Sequence, residues 1–532
     1  MGQIPQPNAG AQGDPAPLLN KTFSAFKGVY TRASRTAIPD DYFYDLVNMI
    51  PIGNQNLHVV HNLSSALVDY TTDTIYWSQG VNLNGVEYLV NFASNGKVFF
   101  YNINAHTSAQ VNVGNLLSGA GSQCDQWQNT AILFIDSTGY YSYDGATFTK
   151  ITGAGVPTAG QSIAVYAQYV WIVNNRQLYV TGNGGGIGYV AANFTAANGA
   201  QVVTLVDPQI RSTVSRLKAQ NGYLYLIAQS SINAISDVYV PSGASPPTPL
   251  FSNQNIQALI GTDQPASIFA YDRYLMFASK YGGHTLFGVS APKVSGDIDG
   301  TWQYVDFTQQ ISGGQVVVES ILCGAFLLKQ TGDPTFGNRN IIALWFQQSD
   351  TAPQTGVTEN TDIWWFCNFG AVTFIVTGMV ANEPALFGFI GNKLYQFFVD
   401  ENNLPTSSAT TKLWPMEDEL ARKEAITAGV EFYAFNTGSN VALSLDTEFT
   451  SIPLTLNQNL SAGNWINQFG VQGLWVNNAL QTGGWVSPGL FLLLTDAQGG
   501  FGRHVGLTLK YTGFHAETHL LALDYKIRDR WL

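Results

Sequence analysis

From Val86 onward, apolar and polar positions alternate with a period of two, broken by short turns rich in Gly, Asn and Ser. That period predicts paired strands, not helices. VEYLVNFASNGKVFFYNI, Val86 to Ile103, turns at Asn95-Gly96, a dipeptide that tolerates the positive φ of a tight hairpin. TAILFIDSTGYYSYDG turns at Gly139, and YVWIVNNRQLYVTG, starting at Tyr169, turns at Asn174-Asn175. GYLYLIAQSSINAISDV from Gly222 and RYLMFASKYGGHTLFGV from Arg273 share one order: aromatic, Leu or Met, apolar, Ala, turn, apolar. ALFGFIGNKLYQFFV turns at Gly391-Asn392, while IIALWFQQ from Ile341 and DIWWFCNF from Asp362 predict one further hairpin with an elongated loop.

Whole hairpins recurring every ~40–60 residues match the blades of a β-propeller, units that cannot bury their faces alone and must stack radially. The expected fold is all-β: a propeller of six or seven blades with inserted loops, plus a β-rich platform domain built from the chain ends. A pair of β-sandwiches is the alternative, since their strands also come at short spacing. The expected divisions are an extended arm (1–25, poor in apolar residues), an N-terminal part of the platform (26–80), the propeller (81–411) and a C-terminal platform domain (412–532). WPMEDELARKEAITAG, from Trp414, predicts a helix. Pro415 suits its first turn, Glu417, Asp418 and Glu419 complement the N-terminal dipole, and Arg422 and Lys423 follow later. Strands return to the C-terminus, ending in VGLTLKYTGFHAETHLLALDYKIRDRW.

Composition sharpens the picture. Only 11% of the 532 residues are charged while 13% are aromatic, a sparsely charged polar surface suited to extensive protein contacts, because hydrogen-bonded amides bury more cheaply than unpaired charges. A net charge of −12 argues against a surface that neutralises DNA phosphates. Cys124, Cys323 and Cys367 have neither metal spacing nor an even number, which fits a reducing compartment. The N-terminal residues lack a basic stretch followed by an apolar one, so no export signal is expected, and no apolar run reaches the length of a membrane helix.

Candidate chemistry is sparse. His515-Ala-Glu-Thr-His519 places two histidines four apart, on one face of a strand with Glu517 between them, unlike the helical metalloprotease motif it superficially matches. His58 and His61, three apart, face oppositely on a strand. SGDIDGTWQY, from Ser295, nearly spells the Asp-box turn of sialidase propellers, with Asp299 where glycine belongs, and such a box is structural. GNGGGIGYV, from Gly182, lacks the Lys-Ser/Thr of a phosphate loop and reads as a flexible loop. No catalytic constellation and no cofactor site emerges.

Phe26 to Pro51, FKGVYTRASRTAIPDDYFYDLVNMIP, resembles the opening of tail nozzle (DNA-stabilisation) proteins of short-tailed bacteriophages: Lys-Gly-Val-x-Thr-Arg, then Ile-Pro-Asp-x-Tyr-Phe, then an acidic residue and Asn48. DTEFTSIPL, WVNN at Trp475–Asn478, GRHVGLTLKYTG, Tyr525 and Trp531 are similar to the closing platform of those proteins. The resemblance implies a virion tail protein, assembled in the host bacterial cytoplasm. It implies a homohexameric ring below the head-to-tail adaptor that retains packaged DNA and opens for ejection. Its implied partners are that adaptor, tail fibres or spikes, a tail needle or ejection proteins, and double-stranded DNA passing without sequence-specific contact, which an acidic lumen would repel and leave free to slide. The gate is expected in long insertions. One is Thr181–Lys218, with Gly184, Gly185, Gly186, Asp207, Arg211, Arg216 and Lys218; the other is Ser349–Asp362, with Asp350, Glu359 and Asp362. Either insertion also suits binding of fibres or adaptor. PSGASPPTP, from Pro241, suits a stiff spacer. Glu417, Asp418, Arg422 and Lys423 are the candidate platform contacts to the adaptor. The alternative function is a glycan-binding or glycan-degrading, sialidase-like propeller.

Overall fold

The computed structural model describes residues 17–532 other than 54, 120, 207–209, 211–212, 258, 352–357, 436–439, 455–464, 467–471, 474, 477–481, 484–488, 498–499, 514 and 531–532. The chain divides into two compact units, one comprising His61–Asp400 and the other Met1–Val60 together with Glu401–Leu532.

The first unit is a β-propeller. Six sheets of three or four antiparallel strands are separate blades: 75–110 (blade 1), 123–151 (blade 2), 162–204 (blade 3), 214–257 (blade 4), 269–286 (blade 5, three strands) and 372–396 with Val68–Asp69 (blade 7). A meander of longer strands, Ser312–Val318, Ile321–Asp333, Gly337–Thr351 and Thr358–Cys367, fills the remaining place as blade 6. The predicted hairpins of blades 1–5 and 7 are the second and third strands of their sheets, as in Val86–Ala93 paired with Val98–Asn102 and Tyr169–Asn174 with Gln177–Val180. These strands read as continuous apolar runs because both faces are covered by neighbouring blades. All six residues of Ala131–Asp136 are buried. The apolar clusters accordingly lie between blades, one joining blades 1, 2 and 7 and others joining 2 with 3, 3 with 4 and 4 with 5.

Closure of the circle uses the chain entering the unit. Val68–Asp69 pairs antiparallel with Lys393–Leu394 of blade 7, and the backbone hydrogen bonds continue on both sides: Ser64 N–H to Gln396 O (2.9 Å), Leu67 N–H to Leu394 O (2.8 Å) and Tyr70 N–H to Asn392 O (2.9 Å). The propeller therefore takes its first strand, Val68–Asp69, from ahead of the expected start at residue 81.

In the second unit, strands from the two chain ends interleave. One sheet runs Met49–Ile52, Asn56–Val59, Ala516–Arg530, Ala421–Ala434, Gly489–Asp496, with Leu19–Phe23 also paired to Ala516–Arg530. Phe43–Val47, Ser407–Thr411, Val505–Thr512, Asn440–Thr447 and Ser451–Leu454 form a second antiparallel set. Leu19–Phe23, expected in an unpaired arm, is a paired strand because Phe23 packs against Phe26, Phe43 and Trp414 with ring centroids 5.0–5.8 Å apart.

The predicted helix from Trp414 is a turn followed by strand Ala421–Ala434. Its residues are good helix formers, but Ala421, Lys423 and Ala425 are buried while Arg422, Glu424 and Ile426 are less so, a period of two set by pairing with strands on both sides. Tertiary pairing overrides the local propensity.

The second unit is knitted around one buried carboxylate. Asp446, 4% exposed, is ion-paired to Arg35 Nη2 at 2.6 Å and accepts hydrogen bonds from Ser451 Oγ (2.6 Å) and Thr508 Oγ1 (2.6 Å). Arg35 Nε also donates to Thr411 O (2.8 Å). Asn48, at φ 58°, donates from Nδ2 to Thr406 O (2.8 Å), tying the other end of the same segment to the C-terminal half.

Candidate functional site

The innermost strand of each blade lines the propeller axis, and these strands are stitched by polar side chains. Asn82 N–H of blade 1 donates to Gln126 Oε1 of blade 2 (2.9 Å). Leu217 N–H of blade 4 donates to Ser162 Oγ of blade 3 (2.9 Å), which donates to Gln123 Oε1 of blade 2 (2.6 Å). Gln315 N–H of blade 6 donates to Thr377 Oγ1 of blade 7 (2.6 Å). Blades 7 and 1 meet through glycine: a Cβ on Gly80 would lie 2.5 Å from Thr377 O.

Between these strands lies a cavity of about 370 Å3 whose walls include Trp77, Gln79, Gln126, Arg216, Lys218 and Gln315. Arg216, on the innermost strand of blade 4, crosses it. Nη1 donates to Pro265 O (2.7 Å) and Ile268 O (2.6 Å) beside blade 5, Nη2 reaches Gln79 Oε1 of blade 1 (3.4 Å), and the guanidinium lies 4.9 Å from the Trp77 ring centroid. Burial brings its pKa down to about 10, opposed by the charge of Asp125, so Arg216 stays cationic as a strut across the axis. Lys218 lies two residues along the same strand and therefore on the same face. Burial lowers its pKa too, again opposed by Asp125, whose Oδ2 accepts Val165 N–H at 2.7 Å. Glu87 adds a carboxylate to the wall, hydrogen-bonded by Asn82 Nδ2 (2.5 Å). This arrangement can hold a small acceptor-bearing molecule on the axis.

The predicted site residues fall elsewhere. Gly184, Gly185 and Gly186 belong to an insertion of blade 3 folded onto two 3-10 turns, with Gly185 N–H donating to Asn193 Oδ1 (2.7 Å) and Asn193 Nδ2 donating to Ile187 O (2.7 Å). The flexible glycine loop expected there is instead a compact turn whose Tyr189 packs on Trp127 of blade 2, ring centroids 5.7 Å apart. Asp207 and Arg211 lie outside the described residues. Arg216 and Lys218, expected in the same insertion, are on the innermost strand Val214–Gln220. Asp350, Glu359 and Asp362 were expected in a loop but lie on the two paired strands of blade 6, Asp350 opposite Glu359 and Asp362 opposite Gln347. The hairpin continues past its apolar core, so backbone pairing carries these polar residues into the sheet. Asp362 accepts Trp345 Nε1 (3.2 Å), and burial raises its pKa. Glu417 and Asp418 sit in a turn, not a helix, where Asp418 Oδ1 accepts Leu420 N–H (2.9 Å) and Ala421 N–H (3.2 Å). On the strand that follows, Arg422 stacks on Phe501 at 4.1 Å, and Lys423 is fully buried with Nζ donating to Asp418 O, so it offers no surface charge to a partner.

The remaining motifs are structural. Trp302 of the Asp-box-like segment is buried in a helical turn, Asp299–Trp302, and donates to Ser279 O (3.0 Å), while Asp299 pairs with Lys293 (2.5 Å). Glu517 contacts His519 (3.6 Å) and also His58 (3.3 Å), which faces it across the sheet. No group of three or more His, Cys, Asp or Glu side chains is disposed to hold a metal among the described residues. Nor, among them, is any helix long and apolar enough to cross a membrane. All three cysteines are buried and none is in a disulfide. What the sequence reading missed is the axial cluster. Its one local signal is Arg216-Leu-Lys218, two cations flanking a buried apolar residue at a period of two.

No family model and no curated protein matches the sequence. Among solved structures, the chain is similar to U3-55K at 7% identity and a TM-score of 0.35, over 64% of this chain and 98% of that one. It is also similar to BBS1N, solved in complex with ARL6DN, at 9% identity and a TM-score of 0.36, over 65% of this chain and all of that one. The sheet topology described above makes the fold of the His61–Asp400 unit a β-propeller.

Proposed function

We propose that the chain is a non-catalytic structural subunit of the tail nozzle of a short-tailed bacteriophage, assembling as a hexameric ring that continues the DNA channel below the head-to-tail adaptor. One observation carries the reading. Three stretches whose wording resembles nozzle proteins, 26–51, 446–454 and 502–513, converge on a single buried group, where Arg35 of the first pairs with Asp446 of the second and Thr508 of the third donates to the same carboxylate. Residues so far apart in sequence resemble the family because they build one unit, and the propeller is inserted between its halves. A ring closed by rotation needs two different complementary patches per subunit, and two units of different build supply them. Low charge suits surfaces buried in such an assembly, and a net charge of −12 per chain suits a conduit that does not retain DNA. The test is negative-stain imaging of the purified protein mixed with portal and adaptor complexes. Sixfold rings capping the adaptor are expected; a protein that stays monomeric and unattached overturns the proposal.

A further inference from the structure

The axial cavity holds a set of hydrogen-bond donors without acceptors. Gln126 Oε1 is taken by Asn82 N–H (2.9 Å), Gln79 Oε1 by Arg216 Nη2 (3.4 Å) and Gln315 Oε1 by Asp272 N–H (3.4 Å). Backbone amides and guanidinium groups only donate, so these contacts fix each side chain with its oxygen engaged and its NH2 directed elsewhere. None of the three NH2 groups has a partner among the described residues, and neither does Lys218 Nζ. The indole Nε1 of Trp77, in the same wall, is buried without an acceptor as well. These groups come from blades 1, 2, 4 and 6 and line one cavity of about 370 Å3, within the size range of small-molecule sites. A buried donor left unpaired, as Trp77 Nε1 is, is costly, and neutral amide donors beside one ammonium are the chemistry that surrounds an oxyanion.

We propose that the propeller axis is a binding site for a small oxyanion, a carboxylate or phosphate group held by Lys218 and the side-chain amides of Gln79, Gln126 and Gln315. Glu87 in the same wall sets the selectivity, since its negative charge opposes ligands of high charge and favours a singly charged one. Burial already weakens the protonated form of Lys218, and an anion beside it restores that form, so binding and protonation support each other. The proposal concerns the propeller unit alone and stands whether or not the chain forms a ring.

The test is isothermal titration of the full chain with acetate, succinate and inorganic phosphate, glucose serving as a neutral probe. Saturable binding of at least one anion, and none of glucose, is expected, with acetate or phosphate ahead according to which group the site takes. Lys218→Met and Gln126→Leu should each weaken it at least about tenfold, the worth of one hydrogen bond to a charged group. Lys280→Met, outside the cavity, should leave it unchanged. A second readout needs no variant: acylation of Lys218, followed by peptide mass spectrometry, should be suppressed by the bound anion. Absence of saturable anion binding, equal binding of glucose, binding by Lys218→Met at wild-type strength, or unprotected Lys218 would each overturn the proposal.

Discussion

Replacing Arg35 by Met tests whether the two chain ends are held together as described. In the native protein the Asp446 side chain is 5% exposed and has three side-chain partners, of which only Arg35 carries charge. The variant keeps the hydroxyls of Ser451 and Thr508 but leaves a carboxylate buried without a counter-charge, a situation that costs about 3–5 kcal/mol. Removing both charges with Arg35→Met and Asp446→Leu together should recover most of that loss, since an apolar pair of similar volume often matches or exceeds a buried ion pair. Because a two-unit chain need not unfold in one step, the readout should be local. Hydrogen exchange followed by mass spectrometry separates peptides of Asn440–Thr447 and Val505–Thr512 from those of blade 1. In Arg35→Met the first two should exchange at least about a hundredfold faster, the equivalent of roughly 3 kcal/mol, with blade 1 unchanged. A loss below about 1 kcal/mol, the worth of an exposed ion pair, would refute the account of Asp446 as the knot of the second unit.

Gly80→Ala should destabilise the propeller by about 1–3 kcal/mol, because the new methyl meets the Thr377 carbonyl and Thr377 is fixed by its bonds to Gln315, whereas Gly296→Ala, with open space around it, should be near neutral in the same thermal melts. His284, 3% exposed and stacked on Phe277, is held neutral by burial, its pKa lowered from 6.5 to about 4. The native state then binds fewer protons than the unfolded chain between those values, so its contribution of about 3 kcal/mol is present above pH 6.5 and is lost as pH falls to 4. Urea melts at several pH values should show this loss in the wild type and a smaller one in His284→Gln.

The hairpins of blades 1 to 5 and 7 were legible because their middle strands are apolar on both faces and their turns carry residues that accept positive φ, such as Asn175 at 53° and Gly96 at 83°. The innermost strands were not. Ser312-Gly-Gly-Gln and Ser78-Gln-Gly face the axis with small and polar side chains, which reads as loop composition in a linear sequence. For the same reason the axial site has no motif: Gln79, Gln126, Lys218 and Gln315 become neighbours only when four blades converge. Residues 421–429 read as a helix because Ala, Arg, Lys and Glu favour one in isolation, and only long-range partners on both flanks make them a strand. The polar ends of the blade 6 strands were read as a loop because nothing local signals a hairpin that outruns its apolar core.

The antiparallel bridge between Asn62 and Asp400 puts the two exits of the propeller unit side by side. To the second unit, the whole propeller is then equivalent to a tight reverse turn: once folded, it delivers residues 60 and 401 already adjacent and removes the closure entropy of a very long loop. Ala516–Arg530, with which Leu19–Phe23 and Asn56–Val59 pair, is made after the propeller. Synthesis thus imposes an order in which the propeller forms first and serves as the template on which the ends of the chain find each other.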